Sequence, residues 1–171
     1  MKRLFLILAA SALLCAQDKQ QATNVEFTVY LLSGSVQGTD DVPQDLASTV
    51  TQLHSVFAYK SYRLSESFVL RGRSGSASTE GVLPGVGLRY RFGYFRLRLS
   101  GDAPRTVQLD SLSLELSKPS GTKDGKQQYE TVAKINTDLD MRDGQKTVVG
   151  KSSINANGDA LILVIVPRLV E

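Results

Sequence analysis

The chain holds one cysteine (Cys15), one histidine (His54) and no tryptophan among its 171 residues. A single thiol excludes an intrachain disulfide framework and any Cys-rich zinc site. A single imidazole leaves no second His for a metal pair or a relay, and no nucleophile-elbow pattern accompanies it. No apolar run is long enough to cross a bilayer as a helix. The polar phosphate-loop spacing is also missing: Gly144 and Gly150 are separated by five residues where that loop needs four, and no helix is expected after Gly150-Lys151-Ser152. These gaps predict a protein that is not an enzyme and that holds no cofactor and no metal. Asp138 and Asp140 share a strand face but lack the oxygen-rich loop spacing of a calcium hand.

What is present begins with an address. Met1-Lys2-Arg3 is basic, Leu4 to Ala10 is apolar, small residues follow to Ala16, and polarity starts at Gln17. This order reads as a signal peptide over residues 1–16, with residues 17–171 forming one β-rich domain in an exported protein, periplasmic or outer-membrane-associated. Cys15 raises the alternative of a lipoprotein, against which Leu14 stands where a small residue is preferred. Lys2 and Arg3 lie in the leader with no acid. Without them 20 basic residues fall to 18 against 17 acidic ones, and the net charge of +3 falls to +1. The remaining charge gives no footing for a nucleic-acid partner.

Periodicity predicts an α+β fold, mainly antiparallel sheet with one covering helix over about 43–57 and a long bent hairpin over about 88–117. Leu46, Val50, Leu53 and Phe57 fall on one helical face, after Pro43 in the first turn and Asp45 near its positive end. Val25, Phe27, Val29 and Leu31 alternate as a strand, as do Tyr62, Leu64, Phe68 and Leu70, expected on one face. Gly72 to Gly81 and Pro119 to Gly125 read as loops. In the hairpin, apolar residues alternate at Leu88, Tyr90 and Phe92, then skip to Phe95, Leu97 and Leu99. The return strand skips at Asp110-Ser111. Opposed bulges, the first placed at Gly93-Tyr94, would keep each apolar set on one face and bring Arg96 toward Asp110 and Arg91 toward Glu115. Arg89 and Arg98 are left without an acidic partner in that register, which marks them as a candidate anionic-ligand surface.

Asn155 to Asp159 is a hairpin turn, after which Ala160 to Val166 is apolar on both faces. Such a strand is either central in a covered sheet or faces a partner. Leu161, Leu163, Ile165 and the neighbouring Val148 are therefore the candidate strand-pairing residues. Arg142-Asp143-Gly144-Gln145-Lys146-Thr147-Val148-Val149-Gly150, then Ala160 to Val166 and Pro167-Arg168-Leu169-Val170, resembles the closing hairpin of bacterial secretins, with Lys151 and Ala160 departing from that pattern. The resemblance implies a β-rich envelope protein, secretion-system-associated, whose last hairpin pairs with an envelope protein partner or with itself. An exported, non-catalytic interaction module working by strand pairing is the first reading. The alternative is a periplasmic carrier for an apolar or anionic envelope ligand, with Tyr59, Tyr62, Tyr90, Phe92 and Phe95 as lining residues.

Overall fold

The computed structural model describes residues 24–101, 105–155 and 157–170. The signal-peptide reading of residues 1–16, with Cys15, lies outside them. Among the described residues the fold is mostly antiparallel β-sheet with one short helix. In chain order the elements are β1 (Asn24–Ser35), α1 (Ala47–Val56, preceded by a 3-10 turn Gln44–Leu46), β2 (Ser61–Gly72), β3 (Gly75–Val82), β4 (Arg89–Ser100), β5 (Thr106–Lys123), β6 (Lys126–Arg142), β7 (Thr147–Ser153) and β8 (Ala160–Val170). The first sheet has the order β2-β1-β8-β7 and the second β3-β4-β5-β6.

The two sheets face each other across one core. Val25, Phe27, Val29 and Leu31 of β1 and Leu161, Leu163 and Ile165 of β8 pack there against Tyr90, Phe92, Tyr94 and Leu97 of β4 and Leu109, Leu112, Leu114 and Leu116 of β5. The opposite face of the first sheet carries a second core. Leu32, Tyr62, Ile162 and Val164 meet Leu46, Val50 and Leu53 of the helical segment. The helix covers its sheet as the 4-3-4 spacing predicts. This three-layer arrangement explains the two-faced apolarity of β8: odd residues face the other sheet and even ones face the helix. Residues 160–165 are each at most 1% exposed, and burying each large side chain is worth about 2 kcal/mol.

Four local readings are corrected. Residues 75–82 are not a loop but strand β3, paired antiparallel with β4. Small residues make room for rings: a Cβ on Gly81 would stand 2.6 Å from the Tyr90 hydroxyl, and one on Gly72, at the end of β2, would stand 1.8 Å from that of Tyr94. An aromatic side chain thus covers backbone that carries no side chain of its own. Second, the β4 slip lies at Phe95-Arg96 rather than at Gly93-Tyr94. Register against β3 shifts between Gly75 and Ala77, opposite that point. Tyr94 is consequently buried while Phe95 is 64% exposed. The β5 slip is where alternation places it, with Ser111 at φ 51°, and Arg96↔Asp110 and Arg91↔Glu115 are register partners.

Third, β2 does not present one apolar face. Its register against β1 shifts between Leu31 and Leu32, where Ser65 is the extra residue. That bulge sends Tyr62 and Leu64 to the helix side and Phe68 and Leu70 between the sheets. Fourth, residues 119–125 are not a loop. β5 and β6 stay paired to Lys123↔Lys126, joined by Asp124 (φ 52°) and Gly125 (φ 73°). Two consecutive positive φ values make the primed turn that suits a tight hairpin. Pro119 is tolerated because β4 pairs with β5 no further than Ser117, so its missing N–H leaves no ladder bond unmade. Pro167 is accommodated in the same way. β7 pairs with β8 no further than Ile165, and beyond it the Gly144 N–H donates to the Pro167 carbonyl at 2.8 Å.

Candidate functional site

The strand-pairing candidates of β8 are not at an edge. Leu161, Leu163 and Ile165 lie between the sheets, and both ladders of β8 are filled, by β1 and by β7. Val148 is half-buried on the helix-side core. The carrier candidates are likewise packing groups: Tyr62, Tyr90 and Phe92 are at most 6% exposed. The Phe68 ring stacks on Tyr90 at 5.2 Å between centroids and meets Phe92 edge-on at 5.5 Å, a filled core in which aromatic pairs contribute about 1 kcal/mol each. Tyr59 is half-buried and takes a 3.2 Å hydrogen bond from Lys151 Nζ, while Phe95 stands out in solvent.

The arginines of β4 lie on the outer face of the second sheet, and the expectation that two of them lack partners is overturned. Arg89 Nη2 donates to Glu80 Oε1 at 2.6 Å, and Arg91 approaches the other oxygen of Glu80 at 3.6 Å. Arg98 Nη2 reaches Asp110 Oδ1 at 2.8 Å, with Arg96 3.9 Å from Oδ2. Glu80 carries no signal in the sequence, because its strand, Gly-Ser-Ala-Ser-Thr-Glu-Gly-Val, has no hydrophobic period. The Arg89 hydrogen bond, reinforced by its charge, holds the Glu80 carboxyl below its usual range and raises the Arg89 guanidinium above its own. Arg89 also lies over the Tyr129 ring at 5.2 Å. A shallow depression of about 130 Å3 beside it is lined by Arg89, Arg91, Glu115, Ser117, Tyr129 and Thr131. Glu115 is occupied there by a 2.7 Å hydrogen bond from the Thr131 hydroxyl. This face is a lattice of satisfied surface pairs rather than a stripe of open cations.

His54 has both ring nitrogens engaged by acceptors: Nε2 faces Asp40 Oδ2 at 2.9 Å and Nδ1 faces the Tyr59 carbonyl at 3.2 Å. Neither is turned toward a hydroxyl as a general base. The hydrogen bond to Asp40 raises the His54 pKa, since two acceptors are best served by a doubly protonated ring. Asp40 Oδ1 also accepts the Tyr62 N–H at 2.8 Å. Burial pushes the Asp40 carboxyl up, but the bonds from His54 and Tyr62 outweigh it and leave the carboxyl lowered. Among the described residues no group of three or more His, Cys, Asp or Glu converges on a metal position.

The sheet edges differ in how they are protected. A strand edge exposes unpaired N–H and C=O groups, and proteins shield it with charge, proline, bulges or a covering segment. β2 is covered where Asp41 donates its N–H to the Tyr62 carbonyl and accepts from the Leu64 N–H. β6 carries Lys134, Asp138, Asp140 and Arg142 along its length. β7 is short and irregular between Val148 and Gly150. Among the described residues β3 pairs only with β4, and its one irregularity lies at its start, between Gly75 and Ala77. Its sequence Gly-Ser-Ala-Ser-Thr-Glu-Gly-Val holds no Lys and no Pro, and its one charge, Glu80, is turned back onto Arg89 and Arg91. The Leu83 N–H donates to the Leu88 carbonyl at 2.8 Å. By strand alternation from that pair, odd residues of β3 bond to β4, and Ser76, Ser78, Glu80 and Val82 aim their backbone groups outward. No protein-family model matches the chain, and comparison with curated proteins finds no match either.

Proposed function

We propose that this protein is an exported, non-catalytic assembly module of the cell envelope that binds by strand addition, with β3 as the accepting edge. The unguarded outer edge of β3 carries this reading: outward backbone groups from Ser76 to Val82 supply the affinity, and the small flanking side chains leave an incoming strand free to approach. The basic-apolar-polar order of residues 1–16 and the secretin-like tail support placement in the envelope. In this reading the opposed slips of β4 and β5 bend their hairpin and set the line along which an added strand runs. The mechanism is the strand pairing anticipated from β8, moved to a strand whose edge is open.

The test is the mass of the native complex after gentle extraction of the envelope fraction, with wild-type chain and with Ser78→Pro. That substitution removes an outward N–H and no bond to β4. A complex in the wild type that falls to monomer in the variant, with unchanged circular dichroism, supports the reading. A clean wild-type monomer overturns it.

A further inference from the structure

We infer that the strand accepted by β3 is the β5–β6 arm of a second copy of this chain, an inference that rests on the strand-addition reading above. Past Ser117, where β4 stops pairing, β5 and β6 continue alone as a two-stranded arm through Lys118↔Glu130 to Lys123↔Lys126. Residues 118–131 are exposed throughout. The arm buries no face of its own, and a lone hairpin in water is marginally stable. Its fixtures beyond the two-residue turn are the Lys118–Glu130 ion pair at 3.3 Å, the Gln127 amide donating to the Gly121 carbonyl at 2.6 Å and, at its base, Arg89 over the Tyr129 ring and the Thr131 hydroxyl on Glu115. Such an extension contributes no core packing to its own domain, and what it offers is backbone.

The geometry of the offer matches β3. Lys123 and Lys126 flank the turn and close it, so Lys126, Gln128 and Glu130 direct their backbone groups to β5. Gln127, Tyr129 and Thr131 direct theirs outward. Three outward residues of the arm meet four of β3. Glu80, the single acid of the acceptor edge, is already held by Arg89 and Arg91, so the match is one of backbone groups rather than of charge. β3 and β6 are the two opposite edges of the same sheet. A contact from one copy's arm to the next copy's β3 continues that sheet from molecule to molecule. It joins unlike surfaces and so propagates head to tail, to a ring or an open chain rather than a closed two-fold dimer. Lys126 and Glu130 bracket Gln127-Gln128-Tyr129 and restrict the register in which the arm can add.

Two variants separate donor from acceptor. In one, Asn-Gly joins Lys118 directly to Glu130, which removes the arm and keeps β3. In the other, Ser78→Pro blocks β3 and keeps the arm; Ser78→Lys serves if the proline variant does not fold. By light scattering of purified chains, the wild type is expected to show a mass that rises with concentration, and each variant alone to stay monomeric. Their equimolar mixture is expected to form a one-to-one dimer, since one arm and one edge remain between them. A wild type that stays monomeric at every concentration, or a mixture that stays monomeric, overturns the inference. If the purified chain is monomeric while the envelope complex persists and is lost in Ser78→Pro, only the identity of the added strand is wrong. If the envelope complex is itself absent, strand addition fails with it.

Discussion

Arg98 Nη2 donates to Asp110 Oδ1 at 2.8 Å, although the register partner of Asp110 is Arg96, which stands 3.9 Å from the other oxygen. The slip in both strands turns the nearer arginine aside and gives the carboxylate to the next one. Asp110→Asn is therefore expected to release two guanidinium groups while lowering stability by less than about 1 kcal/mol, the range of exposed pairs. Retention on anionic vesicles at low salt should rise and then vanish at high salt. Unchanged retention would mean that the face cannot act as a cationic surface even when freed.

His54 makes stability depend on pH in a direction fixed by its neighbours. Its folded pKa lies above the ordinary value, so the clasp to Asp40 and Tyr59 is fully present below about pH 6.5. It is lost as pH rises through the folded pKa. Asp40, lowered in the fold, works oppositely: its contribution is present above the ordinary Asp pKa and lost as pH falls through the folded one. Arg63 and Lys151 are the nearby cations, on Asp41 and on Tyr59 respectively. Denaturant midpoints should fall from pH 6 to pH 8.5 in the wild type and flatten over that window in His54→Gln. An equal slope in both proteins would assign the dependence elsewhere.

Leu163 is fully buried between the sheets. Leu163→Ala is expected to cost about 2–5 kcal/mol, and Leu163→Asp, which buries a charge without a partner, should abolish the fold. Circular dichroism distinguishes this from an edge position. A folded Leu163→Asp chain that had lost only its binding would restore β8 as an interface.

Gly93 holds β3 close to β4. A Cβ there would stand 2.8 Å from the Ala77 carbonyl oxygen and 2.9 Å from the Ser78 Cβ, and backbone cannot step aside as a side-chain tip can. Gly93→Ala should cost about 1–3 kcal/mol, with amide exchange accelerated in β3 and little changed in β1 and β8. Uniform acceleration across both sheets would show that β3 does not loosen on its own.

How much of this was legible depended on how each strand announces itself. That β4 and β5 each slip was readable because large apolar residues mark alternation on both sides of each break, but the place of the β4 slip was not, since Tyr94 and Phe95 are both aromatic and either suits the inner face. The helix was readable from Leu46, Val50 and Leu53. β3 was not, since Ser, Ala, Thr and Gly leave no hydrophobic period and its place is set by rings on the neighbouring strand. The arm was hidden by Pro119, whose usual meaning as a break fails where the adjoining strand has already ended. Ser65 hid the change of face in β2, because a bulged serine resembles any other exposed serine. The candidate edge depended on these silent segments, and the strongest apolar signal, β8, marked the core.

The pairing of β1 with β8 has a consequence for how the molecule comes into being. The first described strand finds its place beside the last, so the centre of one sheet cannot close until nearly the whole sequence is at hand. Contacts so distant along the chain must overcome loop-closure entropy before they contribute anything, and folding slows accordingly. A chain emerging amino-terminus first leaves Val25, Phe27, Val29 and Leu31 without their β8 neighbours for the whole of that interval, with β2 and the second sheet alone to cover them. The sheet is complete only once Ala160 to Val170 lies between β1 and β7.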